Sequence, residues 1–303
     1  MIVAEGLTKR FGAKTAVSNV NFTVQPGLVT GFLGPNGAGK STTMRMIVGL
    51  DRPSAGRVTV NGRQYASSRA PLTEVGVLLD AKAVHTGRSA RSHLKAMAAT
   101  HGIPTSRVDE VIALTGLESV AKKRAGKFSL GMGQRLGIAA ALLGDPQILV
   151  LDEPVNGLDP EGVRWVREFV RHQAATGRAV LLSSHLMSEM AVTADRVIVL
   201  GQGRVLADEP VRDLVARWTA NAVRVRTPRP TELAAALAAY TPTLTPGEDG
   251  SLTVTGPTAA QIGDAAAASG IALHELTPAA GSLEEAYMAL TGDTVEYRSK
   301  EIA

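Results

Sequence analysis

Nine consecutive residues, Gly34-Pro35-Asn36-Gly37-Ala38-Gly39-Lys40-Ser41-Thr42, follow the apolar run from Val29 to Leu33. They fit the pattern G-x4-G-K-S/T in the setting that pattern requires: a strand, a loop, then a helix. The glycines let successive backbone N–H groups curl around phosphate oxygens, and the N-terminus of the following helix adds positive potential. Lys40 is placed to reach the β and γ phosphates of a nucleotide, and Ser41 to offer a hydroxyl to Mg2+. A match of this length arises by chance in roughly one chain of this size in a hundred, and its place after a strand lowers that figure.

A second group lies at Ile148-Leu149-Val150-Leu151-Asp152-Glu153-Pro154, where an apolar run stops abruptly at two carboxylates. In an open α/β sheet, ligands bind beyond the carboxyl ends of the strands, which is where Asp152 emerges. An acid there suits the surroundings of a nucleotide-bound Mg2+, and Glu153 beside it can hold an attacking water. Such general-base help contributes about 10²- to 10⁴-fold in rate.

A third segment, Phe128-Ser129-Leu130-Gly131-Met132-Gly133-Gln134-Arg135, precedes Asp152 and opens a helical stretch with a glycine-rich turn. It resembles the LSGGQ signature of ATP-binding-cassette (ABC) ATPases. Phe128 stands at the Leu position, Ser129 and Gly131 match, and Leu130 and Met132 depart from the usual Gly and Gln. The Ser-Leu-Gly-Met form is similar to cassettes of ABC-2 type exporters, the branch with drug and bacteriocin self-resistance pumps. Further motifs follow in family order: Asn156-Gly157-Leu158-Asp159 resembles the D-loop, and His185 resembles the switch histidine. Asp80, closing Val75-Gly76-Val77-Leu78-Leu79-Asp80, stands where the family's Q-loop usually has Gln. Phe11 stands where the family places an aromatic that stacks on adenine; taken by itself it reads as a strand-end core residue.

The resemblance covers about residues 1 to 215. It implies an ATPase that binds ATP through Phe11, residues 34 to 42, Ser129, Gly131 and Asp152, with Mg2+ on Ser41, Asp152 and Asp80. Glu153 and His185 would be its catalytic residues. It also implies two partners, a second cassette docked head to tail across the ATP and a transmembrane permease on a separate chain, and hence a place at the cytoplasmic face of the membrane. A glycine-rich segment opening a helix is independently a phosphate site, so one chain carries two such sites. Rival readings fit less well. Cassette ATPases of translation or DNA repair resemble tandem cassettes or cassettes split by long coiled coils, and a GTPase would need an NKxD segment.

The elements that must position these residues read as α/β, a mainly parallel sheet core with an N-terminal antiparallel β subdomain and a helical insertion. Strands are expected at Ile2 to Leu7, Asn21 to Val24, Val29 to Leu33 and Arg57 to Val60, then at Ile148 to Leu151, Ala179 to Ser183 and Arg196 to Leu200. Helices are expected in a subdomain of about 86 to 145, at Ser89 to Thr100, Ser106 to Leu114 and Leu130 to Leu143, and again from about Glu161 to Ala175. The tail alternates strand candidates, Val223 to Arg226 and Ser251 to Val254, with helix candidates, Glu232 to Ala239 and Ala259 to Ala268. Ser282 to Leu290 is similar to a closing helix of the exporter branch. A cassette of 1–220 followed by a small α+β accessory domain of 221–303 is the expected division.

Composition agrees. The chain is 45% hydrophobic and 20% charged over 303 residues, which favours a folded protein with one large core and a smaller one. No apolar run approaches the roughly 20 residues of a membrane-spanning helix, and the N-terminus has no secretory pattern. There is no cysteine and no cluster of the six histidines. Residues 1 to 220 carry 27 Lys+Arg against 18 Asp+Glu, and the remainder 5 against 10, which places a boundary near 220. No basic run interleaves with aromatics, so nucleic acid is not an expected partner.

Overall fold

The computed structural model describes residues 1–81, 83–219, 222–247, 249–278 and 282–291. Two compact units divide between Val211 and Arg212, ahead of the break in charge: Met1–Val211 together with Thr291, and Arg212–Leu290.

The first unit opens with β1 (Ile2–Phe11) and β2 (Lys14–Val24), then β3 (Val29–Leu33), α1 (Lys40–Ile47), β4 (Ala55–Val60), the short α2 (Pro71–Glu74) and β5 (Val75–Leu78). Three helices follow, α3 (Ala90–Thr100), α4 (Thr105–Leu114) and α5 (Leu130–Leu142). The chain then alternates β6 (Ile148–Leu151), α6 (Pro160–Ala175), β7 (Ala179–Ser183), α7 (Met187–Thr193) and β8 (Arg196–Gly201) before the edge strand β9 (Arg204–Pro210).

Six strands form one sheet in the order β5-β6-β7-β3-β8-β9, parallel except for the last pair. Residues of β3, β6 and β7 are buried throughout, as expected of parallel strands covered on both faces. β2, β1 and β4 form a separate antiparallel sheet in that order. Its inner side chains, Ile2, Leu7, Val17, Val20 and Val60, share one core with Phe32 and Met44 behind the glycine-rich loop. The backbone of β2 is also tied to the β8–β9 turn, with the Ser18 N–H donating to the Gly203 carbonyl at 2.8 Å.

Several boundaries differ from the sequence expectation for local reasons. β1 runs on to Phe11 and β2 begins at Lys14, where no strand is expected. Register shifts in the β1–β2 ladder and the left-handed Asn19 (φ 52°) disrupt the two-residue alternation that reveals a strand. Ser89 is the N-cap of α3 rather than its first residue, its Oγ accepting the Ser92 N–H at 3.1 Å. α4 begins at Thr105, α5 stops at Leu142, and β4 begins at Ala55.

The second unit contains α8 (Val211–Thr219), which starts at the division itself, then β10 (Ala222–Arg226), α9 (Pro230–Ala236), β11 (Thr243–Pro246), β12 (Leu252–Thr255), α10 (Ala259–Ala268), β13 (Glu275–Pro278) and α11 (Leu283–Thr291). Its antiparallel sheet has the order β11-β12-β10-β13. Val223, Val225 and Val254 pack with Leu233, Leu237, Ile262 and Ala266 into a core of their own. α9 ends at Ala236, short of the expected Ala239, because the chain tightens into a 3-10 turn over Ala238–Tyr240.

Candidate functional site

The loop between β3 and α1 is shaped by close backbone approaches. Gly39 has φ 102°, and a Cβ there would lie 2.6 Å from the Ala16 carbonyl of β2, so only glycine fits. The loop bends into the head of α1, whose first residue, Lys40, is buried. Its Nζ donates to the carbonyl oxygens of Gly34 (2.6 Å) and Pro35 (3.3 Å). Burial holds the ammonium below the usual lysine pKa, while Glu153 and Asp152 act in the opposite direction. An open cleft of about 290 Å³ lies over this loop, lined among others by Asn36, Lys40, Ser41, Thr42, Asp152 and Glu153. Next to it a hollow of about 220 Å³ is walled by Lys14, Ala16, Pro35, Asn36, Ala38 and Gln202.

Both carboxylates sit where β6 ends. The Asp152 N–H donates to the Leu78 carbonyl at 2.7 Å, which prolongs the β5–β6 pairing by one step. Asp152 Oδ1 accepts the Ser183 hydroxyl at 2.5 Å, and the same Ser183 Oγ accepts the Glu153 N–H at 2.8 Å. Glu153 has φ 49°, a left-handed backbone unusual for a residue with a side chain. Its Oε2 lies 2.7 Å from His185 Nδ1, and its carbonyl accepts Gln134 Nε2 at 3.3 Å. Lys40, Ser41, Asp152, Glu153 and His185, read from distant stretches of sequence, are therefore neighbours. The cleft offers hard oxygen donors, the Ser41 hydroxyl and the Asp152 carboxylate, a donor set that suits Mg2+.

Other sequence candidates lie elsewhere. Ser129 is the N-cap of α5, its Oγ accepting the Met132 N–H at 3.3 Å, and it faces solvent. Neither Ser129 nor Gly131 lines the cleft. Leu130 packs on the turn after β6: a Cβ at Gly157 (φ 71°) would sit 2.1 Å from Leu130 Cδ2, so the leucine occupies space a side chain at 157 would need. Asp80 is exposed, one residue beyond the cleft-lining Leu79. Phe11 is 51% exposed, with Lys9 Nζ 4.9 Å from its ring centroid. It is therefore not the core residue that its strand-end position alone suggests.

Ser183 and Gln134 were not among the residues the sequence put forward for this site. Ser183 closes an apolar run and reads as the end of a strand; Gln134 lies just past the Ser-x-Gly core.

A family model described as ABC transporter matches residues 17–156. A second model, described as a domain of unknown function, matches residues 221–284. The bacitracin transport ATP-binding protein BcrA of Bacillus licheniformis is 39% identical over 221 residues, 72% of each chain. The Nod factor export ATP-binding protein I of Rhizobium sp. (strain N33) is 40% identical over 208 residues, 67% of this chain and 68% of its own. A solved structure titled as an ATP-binding subunit of an ABC transporter superposes with a TM-score of 0.66 at 27% identity, covering 72% of this chain and 92% of that one.

Proposed function

The chain belongs to the ABC transporter family, and from that premise we propose that it is the motor subunit of an exporter whose transmembrane permease is a separate chain. As a member of that family it binds and hydrolyses ATP. Among the described residues no helix is long and apolar enough to cross a membrane, which fits a translocation pathway supplied by the permease. Docking on that permease would hold the chain at the cytoplasmic face of the membrane. The exported cargo, on this reading, is a drug-like, peptide or lipid-like molecule, by likeness to the bacitracin and Nod factor proteins.

The chemistry follows from the cleft. Entering phosphates replace the Gly34 and Pro35 carbonyls as partners of the Lys40 ammonium. The backbone N–H groups of residues 34 to 42 surround the phosphate oxygens, aided by the N-terminus of α1. Ser41 and Asp152 would hold Mg2+, with Asp80 a third ligand by likeness to the family; when bound, the ion offsets charge on the β and γ phosphates. Glu153 accepts a proton from the attacking water, and His185, 2.7 Å from its carboxylate, fixes the direction in which that carboxylate points. The hollow beside Ala16 and Gln202 has room for the nucleoside end.

Ser129 and Gly131 lie outside their own chain's cleft, which favours a pair of cassettes docked head to tail, each presenting the N-terminus of α5 to the other's ATP. The observation that carries the reading is the meeting of Lys40, Asp152 and Glu153 around one cleft. Glu153→Gln tests it: the variant should bind ATP, hydrolyse it negligibly and elute as an ATP-dependent dimer in size-exclusion chromatography. Normal turnover by this variant would overturn the assignment of the base.

A further inference from the structure

The two acids at the end of β6 do not hold themselves in place. The single Ser183 proton goes to Asp152 Oδ1 at 2.5 Å, which leaves a lone pair on Ser183 Oγ to accept the Glu153 N–H at 2.8 Å. Ser183 is fully buried, so no water competes for either bond. On the far side of the same residue the Glu153 carbonyl accepts Gln134 Nε2, from the second turn of α5. Gln134 is 6% exposed, and its Oε1 has no hydrogen-bond partner, so this contact is what occupies its amide.

Between these two bonds Glu153 adopts a conformation it would not choose. Its φ of 49° is rare for a side-chain-bearing residue, and the ring of Pro154 biases the preceding residue toward extended backbone. Strained backbone of this kind persists only where surrounding contacts over-determine it. Relaxation toward the extended form would carry the Glu153 carboxylate off His185.

We propose that Ser183 and Gln134 are positioning residues for hydrolysis, clamping the Glu153 backbone from both sides so that the end of β7 and the signature helix α5 jointly set the aim of its carboxylate. The two have different reach. Ser183 hydrogen-bonds Asp152 as well as Glu153, whereas the Gln134 amide donates to the Glu153 carbonyl. Because Ser129 caps α5, a shift of that helix when its N-terminus meets a phosphate would be relayed by one amide to the hydrolytic carboxylate.

The inference rests on the ATPase reading above, and the experiment separates the two. Steady-state hydrolysis is measured against ATP and against Mg2+ for the wild-type chain, Ser183→Ala, Ser183→Thr, Gln134→Met and the Ala/Met double variant, with thermal denaturation of each. If the wild type shows no Mg2+-dependent hydrolysis, the ATPase reading fails first. Otherwise Ser183→Ala should lower kcat about 10- to 100-fold and raise the Mg2+ needed for half-maximal rate. Gln134→Met should lower kcat at an unchanged Mg2+ requirement. Both should leave the KM for ATP within about twofold, and Ser183→Thr, which restores the hydroxyl, should recover most of the rate. The double variant should lose less than the product of the single losses, because both act on the backbone of one residue, through its N–H and its carbonyl. Single variants that keep kcat within twofold of wild type, or losses that merely follow a fall in folded protein, would overturn the proposal.

Discussion

Lys40 carries the most direct consequence at the scale of single residues. Its ammonium already rests on two loop carbonyls, so a nucleotide gains only the difference between those bonds and bonds to phosphate, but that difference is charge-assisted. Lys40→Ala should weaken ATP binding by roughly 10- to 150-fold, the equivalent of about 1.5 to 3 kcal/mol for one hydrogen bond to a charged group. Isothermal titration calorimetry of the variant reads this directly, and wild-type affinity would count against the loop assignment. Asp152 and Glu153 were legible in the sequence because they close an unbroken apolar run, where a carboxylate is conspicuous, and Lys40 because it completes the G-x4-G-K-S/T pattern. Ser183 was not, since a serine closing Ala179–Ser183 looks like any strand end; its importance comes from Asp152, thirty-one residues away in sequence. Gln134 was hidden likewise, because its partner is a backbone carbonyl, which no side-chain pattern marks.

At the scale of elements, α5 depends on Ser129 twice, as its N-cap and as the proposed contact to a second cassette's nucleotide. Aspartate caps as well as serine but brings a negative charge to face the phosphate. Ser129→Asp in the Glu153→Gln background should therefore keep the thermal midpoint and ATP binding of the monomer while abolishing the ATP-dependent dimer, read by size-exclusion chromatography. The second unit's sheet makes a separate prediction. Asp249 accepts hydrogen bonds from Ser251 and from Arg224 and Arg226 of β10, and these hold its carboxyl well below the usual range. A depressed folded-state pKa adds stability above the unfolded value near pH 3.9, lost as pH falls through the folded one. Protection of the β10 and β12 amides, taken relative to the intrinsic exchange rate at each pH, should fall as pH drops below about 4, and fall less, against its own neutral-pH value, in Asp249→Asn. The parallel strands β3, β6, β7 and β8 were legible because burial on both faces makes them read as apolar runs, whereas the four-residue edge strand β5 was not. The first part of β2, before Asn21, and the edge strands β11 and β13 were not: bulges break the first, and the other two are short, partly exposed and end in proline.

For the whole molecule, the two phosphate-binding helix ends of one chain serve different nucleotides if cassettes dock head to tail, so lesions should complement. Mixing Ser129→Asp with Lys40→Ala creates one composite site with both lesions and one with neither. An ATP-stabilised heterodimer should form although neither variant dimerises alone, as mass photometry of tagged chains would show; equal self-association by either variant would reject the arrangement. The sheet order has a last consequence, one of timing. β3, which carries the glycine-rich loop, acquires its two neighbours only from β7 and β8, and the Ala16–Ser18 stretch that closes over the loop is tied to Gly203. During synthesis the loop is therefore made early but stays without its walls until roughly 160 more residues have been added, about 10 to 30 s at ordinary elongation rates. For that interval the nascent chain has a complete nucleotide-binding motif and no nucleotide-binding site.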